Sequence, residues 1–268
     1  MNRRTLLKTM PAFTLLAATA SGLAQDAAPA PGAGQKPGAA TSTAPAPSAA
    51  TSAAAPPAAV KDLLPITLPK PEKDGGKSVL AALWERKTNR GIRDEKLPPQ
   101  TLSNLLWAAF GVNREAGPFG TPGRTAASAS NSQEIDLYAA LPEGTYLYEA
   151  VPHRLTPVVA GDLRALAGGR GRQGGAGGAP VNIIFVADIA KYAKAGFQEP
   201  GLKDPEIQKS YYNIAAGLIA GNVYLFAASQ GLAAWFHNCD KAGLATELKL
   251  RPEQRVLYAH TVGYPAQS

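Results

Sequence analysis

From Gln25 to about Val60 the chain consists almost entirely of Ala, Pro, Ser, Thr and Gly, and no aromatic residue occurs between Phe13 and Trp84. Such a stretch buries too little apolar surface to offset the entropy of ordering it. It therefore reads as a disordered, partly extended linker over 25–62. Whatever folds must be built from the rest, and two further boundaries are expected. Residues 63–77 are Pro-rich and read as an arm that packs on a domain surface, and the domain itself runs from Ser78 to Ser268.

Residues 1–24 read as a cleavable export signal. Arg3-Arg4 precede a short, mostly apolar run to Leu16, and small residues end at Gly22-Leu23-Ala24. The apolar run is too short to span a bilayer as a mature helix. Arg-Arg followed by Leu-Leu-Lys is similar to a twin-arginine signal, which carries folded, cofactor-loaded proteins; an ordinary secretory signal opening on two arginines stays open. The expectation is a soluble periplasmic protein without stable membrane insertion.

Charge narrows the partners. The formal charge is +7, but removing Arg3, Arg4 and Lys8 leaves 24 basic residues against 20 acidic, a net +4. That is a mild bias and not a nucleic-acid-binding surface. A single cysteine, Cys239, excludes an intrachain disulfide and a cysteine-based zinc cluster. His153, His237 and His260 are widely separated, so no metal site is expected.

Periodicity gives the elements. Ser78 caps a helix through Lys87, and Pro98-Pro99 open a second in which Leu102, Leu105, Leu106 and Ala109 recur at helical spacing until Gly111. Residues 135–141 read as a strand, 142–144 as a turn and 145–148 as the hairpin partner. A short helix is expected over 161–166, a buried strand over 181–187, a long helix from Pro205 to Gln230 stopped by Gly231, and a last strand over 256–262. Strands and helices do not alternate strictly, which points to an α+β fold rather than a doubly wound sheet. Gly169-Arg170-Gly171-Arg172-Gln173-Gly174 matches a dinucleotide fingerprint in letters only. It neither follows a strand nor opens an apolar helix, and so reads as a surface insertion over 168–178.

Three segments carry candidate chemistry. In the first, residues 85–90, a helical wheel puts Arg86 on the face of Val79 and Leu83, the inward face, where a cation needs an anion such as phosphate. A basic helix C-terminus favoured by the macrodipole is the alternative. The second, residues 124–134, is a run of small and hydrogen-bonding residues that suits a flat ring; a plain polar loop stays open. The third is the long helix and its exit, residues 217–232, hydrophobic nearly all round and so destined for a core or a subunit interface.

In order and spacing these segments resemble the nitroreductase-like flavoprotein family over Ser78 to Pro265. Arg86-Lys87-Thr88-Asn89-Arg90 resembles its Arg-Arg-Ser-x-Arg opening. Residues 127–134 resemble its Pro-Ser-Ser-x-Asn-x-Gln-Pro loop, retaining Ser128, Asn131 and Gln133 while Ala127, Ala129 and Glu134 depart from it. Residues 227–232 match its Ala-x-x-x-Gly-Leu helix end, and Gly263-Tyr264-Pro265 its closing Gly-Tyr-Pro. Residues 102–112 are similar to the subgroup of azoline-forming (thiazole/oxazole) dehydrogenases.

The resemblance implies a central, mainly antiparallel sheet flanked by helices, and a homodimer holding FMN noncovalently between subunits. Arg86, Lys87, Thr88 and Arg90 would hold its phosphate and ribityl end. Ser128, Ala129, Asn131 and Gln133 would lie along the ring, and Asn238 and Cys239 would offer backbone donors near N5, where this chain has His237-Asn238-Cys239 in place of the family's Glu-Gly or Gly-Gly. No side-chain acid or base is implied, because the flavin carries the chemistry and admits donor and acceptor alternately. The substrate implied is a small nitro, quinone-like or heterocyclic molecule. For an exported enzyme the donor is expected to be a quinol, an organic substrate or a redox partner in place of NAD(P)H. A flavin carrier without turnover and a non-flavin secreted interaction protein on the same scaffold are the competing functions.

Overall fold

A computed structural model describes residues 63–168 and 178–266. The export signal, most of the linker and residues 169–177 of the glycine-rich insertion lie outside the described residues.

The centre is a seven-stranded sheet in which each pair of neighbours is antiparallel. Its strands are β1 (Ile66–Thr67), β4 (Ile135–Leu141), β5 (Gly144–Glu149), β6 (Arg154–Ala160), β7 (Val181–Asp188), β8 (Ala233–His237) and β9 (Gln254–Gly263), in the spatial order β1-β6-β5-β4-β7-β9-β8. A separate ribbon pairs β2 (Val112–Arg114) with β3 (Gly123–Arg124). All eight residues of β7 are buried, which is why Val181–Asp188 reads as a near-continuous apolar run without alternation. Side chains of Val181, Ile183 and Phe185 enter one core with the helices α2 (Pro99–Phe110) and α4 (Pro205–Ser229). Ile184 and Val186 enter a second core on the opposite face, with α3 (Arg164–Ala167) and α5 (Lys241–Glu247).

Helices α2 and α4 start and stop where their sequences say. Pro99 opens α2 at a position whose N–H has no intrahelical partner anyway, and Leu102, Leu105, Leu106 and Ala109 are buried. Asp204 caps α4 by accepting hydrogen bonds from Glu206 and Ile207 N–H at 2.9 and 3.4 Å. The helix runs 25 residues, about 37 Å. Gly231 at φ +68° turns the chain away, and β8 begins two residues later.

Two expectations need correction. The first helix, α1 (Val79–Glu85), ends at Glu85 and not Lys87, and its face carrying Val79 and Leu83 points outward: Val79, Leu80, Leu83 and Trp84 are 67, 72, 52 and 90% exposed within the chain, and only Ala82 is buried. Arg86 leaves the helix as an extended residue (φ −55°, ψ 119°), so the helical wheel does not govern its direction. The arm is docked on β6 and α2. Ile66 and Thr67 pair with Leu155 and Arg154, Leu68 is 5% exposed, Ser103 Oγ donates to Pro69 O at 2.5 Å and Gln100 Nε2 to Lys70 O at 3.0 Å. Leu68→Ala is accordingly expected to cost about 2–4 kcal/mol in urea unfolding, an effect a loosely docked arm would not give.

Candidate functional site

Strand β8 is the sheet's edge, and its outward backbone groups need partners. Residues 86–90 supply some of them. Asn89 N–H donates to Ala234 O at 3.0 Å, which straps this cationic segment along the strand. Arg86 lies over the Tyr224 ring at 5.4 Å, and Thr88 Oγ1 is 3.0 Å from Tyr224 Oη. Arg90 lies over Trp235 at 5.3 Å. Because side chains alternate along β8, Trp235 and His237 stand on the face opposite Ala234 and Phe236. Phe236 packs with the α4 core, so Arg86 and Arg90 sit on opposite faces of the sheet edge. Lys87 takes a third direction, lining with Glu85 and Asn89 a cleft of about 200 Å³ that Tyr224, Ala228 and Leu232 close.

Among the described residues, none of Arg86, Lys87 and Arg90 pairs with a carboxylate. Guanidinium groups resting on aromatic faces keep their N–H donors for another acceptor. Arg86, Lys87 and the Thr88 hydroxyl, all beside Tyr224, are a donor set that fits a phosphate, while Arg90 stands on the other face over Trp235.

The second segment is held by its own side chains. Ser130, Asn131 and Gln133 have φ of +50, +52 and +50°. Gln133 N–H donates to Ser128 Oγ at 2.9 Å, Gln133 Nε2 to Pro122 O at 2.7 Å, and Asn131 Nδ2 to Thr121 Oγ1 at 2.5 Å. Arg124 completes the clamp, donating to Gln133 Oε1 at 2.6 Å and to Phe110 O at 3.1 Å, over the Phe110 ring; burial lowers its pKa. Glu134 at the loop's root is fully buried and accepts from Ser132 Oγ at 2.6 Å. Ala129 adds only a methyl group in the turn 129–131, leaving the backbone accessible. The loop is held by hydrogen bonds from within the chain and offers a small-residue surface, which is what approach to a flat ring requires.

The third group, 237–239, is tied to the sheet. His237 binds Asn238 O through Nδ1 at 2.7 Å and Thr261 Oγ1 through Nε2 at 2.8 Å, and Thr261 in turn joins Asn182. Burial holds the His237 pKa below its ordinary value. Cys239 packs against the second core, where burial pushes its thiol up to about 11, so it is neither a thiolate nucleophile nor a ready metal ligand. No group of three or more His, Cys, Asp or Glu fit to hold a metal occurs among the described residues. What 238–239 can offer a ring is backbone.

Within one chain the structure brings residues 86–90 together with Tyr224 of α4 and with β8, which leads into 237–239, but not with the loop 128–133. Residues 86–90 adjoin the end of β9 that pairs with Ala234 and Trp235. The loop 128–133 feeds β4, whose Ile135 pairs with Ala187, which pairs with Arg255 at the other end of β9. From Arg255 to Thr261 is about 20 Å along the strand, and β4 to β8 about 14 Å across it. Sequence reading missed Tyr224 and Trp235, on which the two arginines rest. The usable signal was a phenol hydroxyl in the otherwise small and apolar second half of α4.

The family model for the nitroreductase family matches residues 83–264. A solved structure from Ralstonia eutropha JMP134, assigned as a nitroreductase by inference, is 34% identical with a TM-score of 0.67, over 79% of this chain and 94% of that one. One chain of the Escherichia coli microcin synthetase McbBCD complex, solved with truncated pro-MccB17, is 17% identical with a TM-score of 0.54, over 66% of this chain and 68% of that one, a likeness of fold. A comparison with curated proteins gives no match. Nitroreductase-family proteins are typically FMN-dependent oxidoreductases, often homodimeric, that act on small molecules. On the match over 83–264 and the likeness to the Ralstonia structure, this chain belongs to the nitroreductase family.

Proposed function

We propose that the chain is an exported FMN-dependent oxidoreductase that works as a homodimer and passes electrons between a small organic donor and acceptor. The observation that carries this is the un-neutralised strap Arg86-Lys87-Thr88-Asn89-Arg90 beside Tyr224 and Trp235. In this reading Arg86, Lys87 and Thr88 take the phosphate, and Arg90 on Trp235 reaches toward the ribityl chain. Ser128, Ala129, Asn131 and Gln133 bound the ring, and the backbone of Asn238 and Cys239 faces its reactive edge. When bound, FMN supplies the hydride and electron chemistry, while these residues bind it, orient it and exclude water. A single site serving both half-reactions gives ping-pong turnover.

The span between the strap and the 128–133 loop exceeds a mononucleotide cofactor, so the loop comes from a second copy. The outward stripe of α4 favours such a partner: Ile214, Gly217, Leu218 and Gly221 are exposed, with open space beside both glycines, and the apolar face of α1 packs next to it. Leu218→Glu is expected to convert a dimer into a monomer in light-scattering chromatography and to release the flavin with it.

The cheapest test of the main reading is the purified protein's colour: yellow, with FMN freed on denaturation. Photoreduction followed by an acceptor screen then separates an enzyme from an electron carrier. Export through the signal at 1–24 removes the cytoplasmic pyridine nucleotide pool, so turnover with quinols is expected to exceed that with NADH or NADPH. Efficient micromolar-range use of either nucleotide counts against this donor assignment. No helix of the described residues is long and apolar enough to cross a membrane.

A further inference from the structure

We infer that Tyr224 is a positioning residue for the phosphate end of the cofactor: its hydroxyl and ring set Thr88 and Arg86 in the arrangement that receives the anion. This rests on the FMN reading above. Tyr224 sits on the second half of α4 and makes four contacts, two with the strap and two that fix it against β8 and β9. Its hydroxyl is 3.0 Å from Thr88 Oγ1 and accepts from Phe236 N–H at 2.9 Å. Its ring carries the Arg86 guanidinium at 5.4 Å and meets the His260 ring edge-on at 4.5 Å.

The direction of these hydrogen bonds matters. Phe236 N–H is a fixed donor, so it occupies one lone pair of the phenol oxygen and orients it. The phenol proton is then free to point at Thr88 Oγ1. A threonine hydroxyl that accepts this bond has its own proton available for an anionic oxygen. The strap is thus registered by two links, Asn89 N–H on Ala234 O for the backbone and Thr88 on Tyr224 for the side chains. Beside the ring, His260 is fully buried, and neither of its nitrogens has a hydrogen-bond partner among the described residues. Burial pushes its pKa down to about 3, so it is uncharged and does not oppose the nearby Arg86 cation.

Tyr224 also closes the backbone edge of β8, so a purely structural role would loosen the site as a whole. The phosphate group separates the two. Full-length mature protein freed of flavin is titrated with FMN and with riboflavin, which lacks the phosphate, for wild type, Tyr224→Phe, Thr88→Val and the double variant. Thr88→Val leaves the Phe236–Tyr224 bond in place and so serves if Tyr224→Phe folds poorly. The expected result is a wild-type preference for FMN of about a hundredfold or more. Tyr224→Phe loses about tenfold in FMN affinity and Thr88→Val at least as much, with riboflavin affinity unchanged, and the double variant loses no more than Thr88→Val, because Tyr224 acts through the Thr88 hydroxyl. An equal loss for both flavins, or additive losses, overturns the positioning role while leaving FMN binding intact. A wild type that prefers neither flavin overturns the phosphate assignment and this inference together, and a wild type that binds no flavin overturns the parent reading as well.

Discussion

Replacing Arg86 and Arg90 together by alanine is expected to strip the protein of flavin, with an FMN dissociation constant raised by three orders of magnitude or more. A hydrogen bond that involves a charged group is worth about 1.5–3 kcal/mol, and Arg86 can make two to the phosphate while Arg90 adds one or more to the ribityl hydroxyls. Because neither residue is paired with a carboxylate among the described residues, its loss orphans no ion-pair partner there, and the cost falls on binding instead of folding. The far-ultraviolet spectrum and unfolding midpoint of the apo protein should therefore stay close to wild type while the flavin absorbance disappears. Unchanged flavin occupancy in the double variant would remove the phosphate assignment. The single variants distinguish the two arginines. Arg86, on Tyr224, should matter more for FMN than for riboflavin, whereas Arg90, on Trp235 across the strand, should matter for both.

The second large effect is on acid stability. His260 is wholly buried, and burial lowers its pKa from 6.5 to about 3, with His237 contributing in the same direction. A histidine whose folded pKa lies below its unfolded value costs nothing above pH 6.5, where both states are neutral. As pH falls below 6.5 the unfolded chain takes up a proton that the folded chain refuses, so stability drops by about 1.4 kcal/mol per pH unit until about pH 3. By pH 4.5 the loss from this residue alone is about 3 kcal/mol. His260→Leu removes the titration and the two partnerless nitrogens while keeping an apolar filling between Tyr224 and Phe236. Its unfolding free energy should match or exceed wild type at pH 7.5 and should fall with a shallower slope between pH 6.5 and 4.5, measured by urea titration at each pH. Parallel slopes for the two proteins would show that His260 titrates in water-like surroundings, against its burial.

Much of the scaffold was written in local sequence. Residues 135–141 form β4 as expected, and Val181 and Asp204 open their elements for reasons visible in the letters: a bounded apolar run and an Asp-Pro helix start. Strand β6 escaped because Pro157 argues against a strand. The sheet tolerates it at a register shift between Thr145 and Tyr146 of β5, where the regular ladder is already interrupted. Strand β8 escaped because five residues directly after a helix stop carry no alternation to read: Ala233 and Ala234 are small, and Trp235, Phe236 and His237 are all large.

The candidate site divides along the same line. The sequence alone determined that a cationic strap, a small-residue loop and an apolar long helix occur in that order, since each is set by neighbours within a few residues. Only the tertiary structure decided that the strap runs along the edge of β8, that Arg86 and Arg90 rest on Tyr224 and Trp235 on opposite faces, and that the loop lies at the far end of β9. Those neighbours are joined by pairing register and helix packing across gaps of more than a hundred residues, such as Thr88 to Tyr224, and no local pattern encodes a distance of that kind. For the same reason the apolar face of α1 was read as inward when it points outward: periodicity shows that a face is apolar, and only the assembled chain shows what is left to cover it.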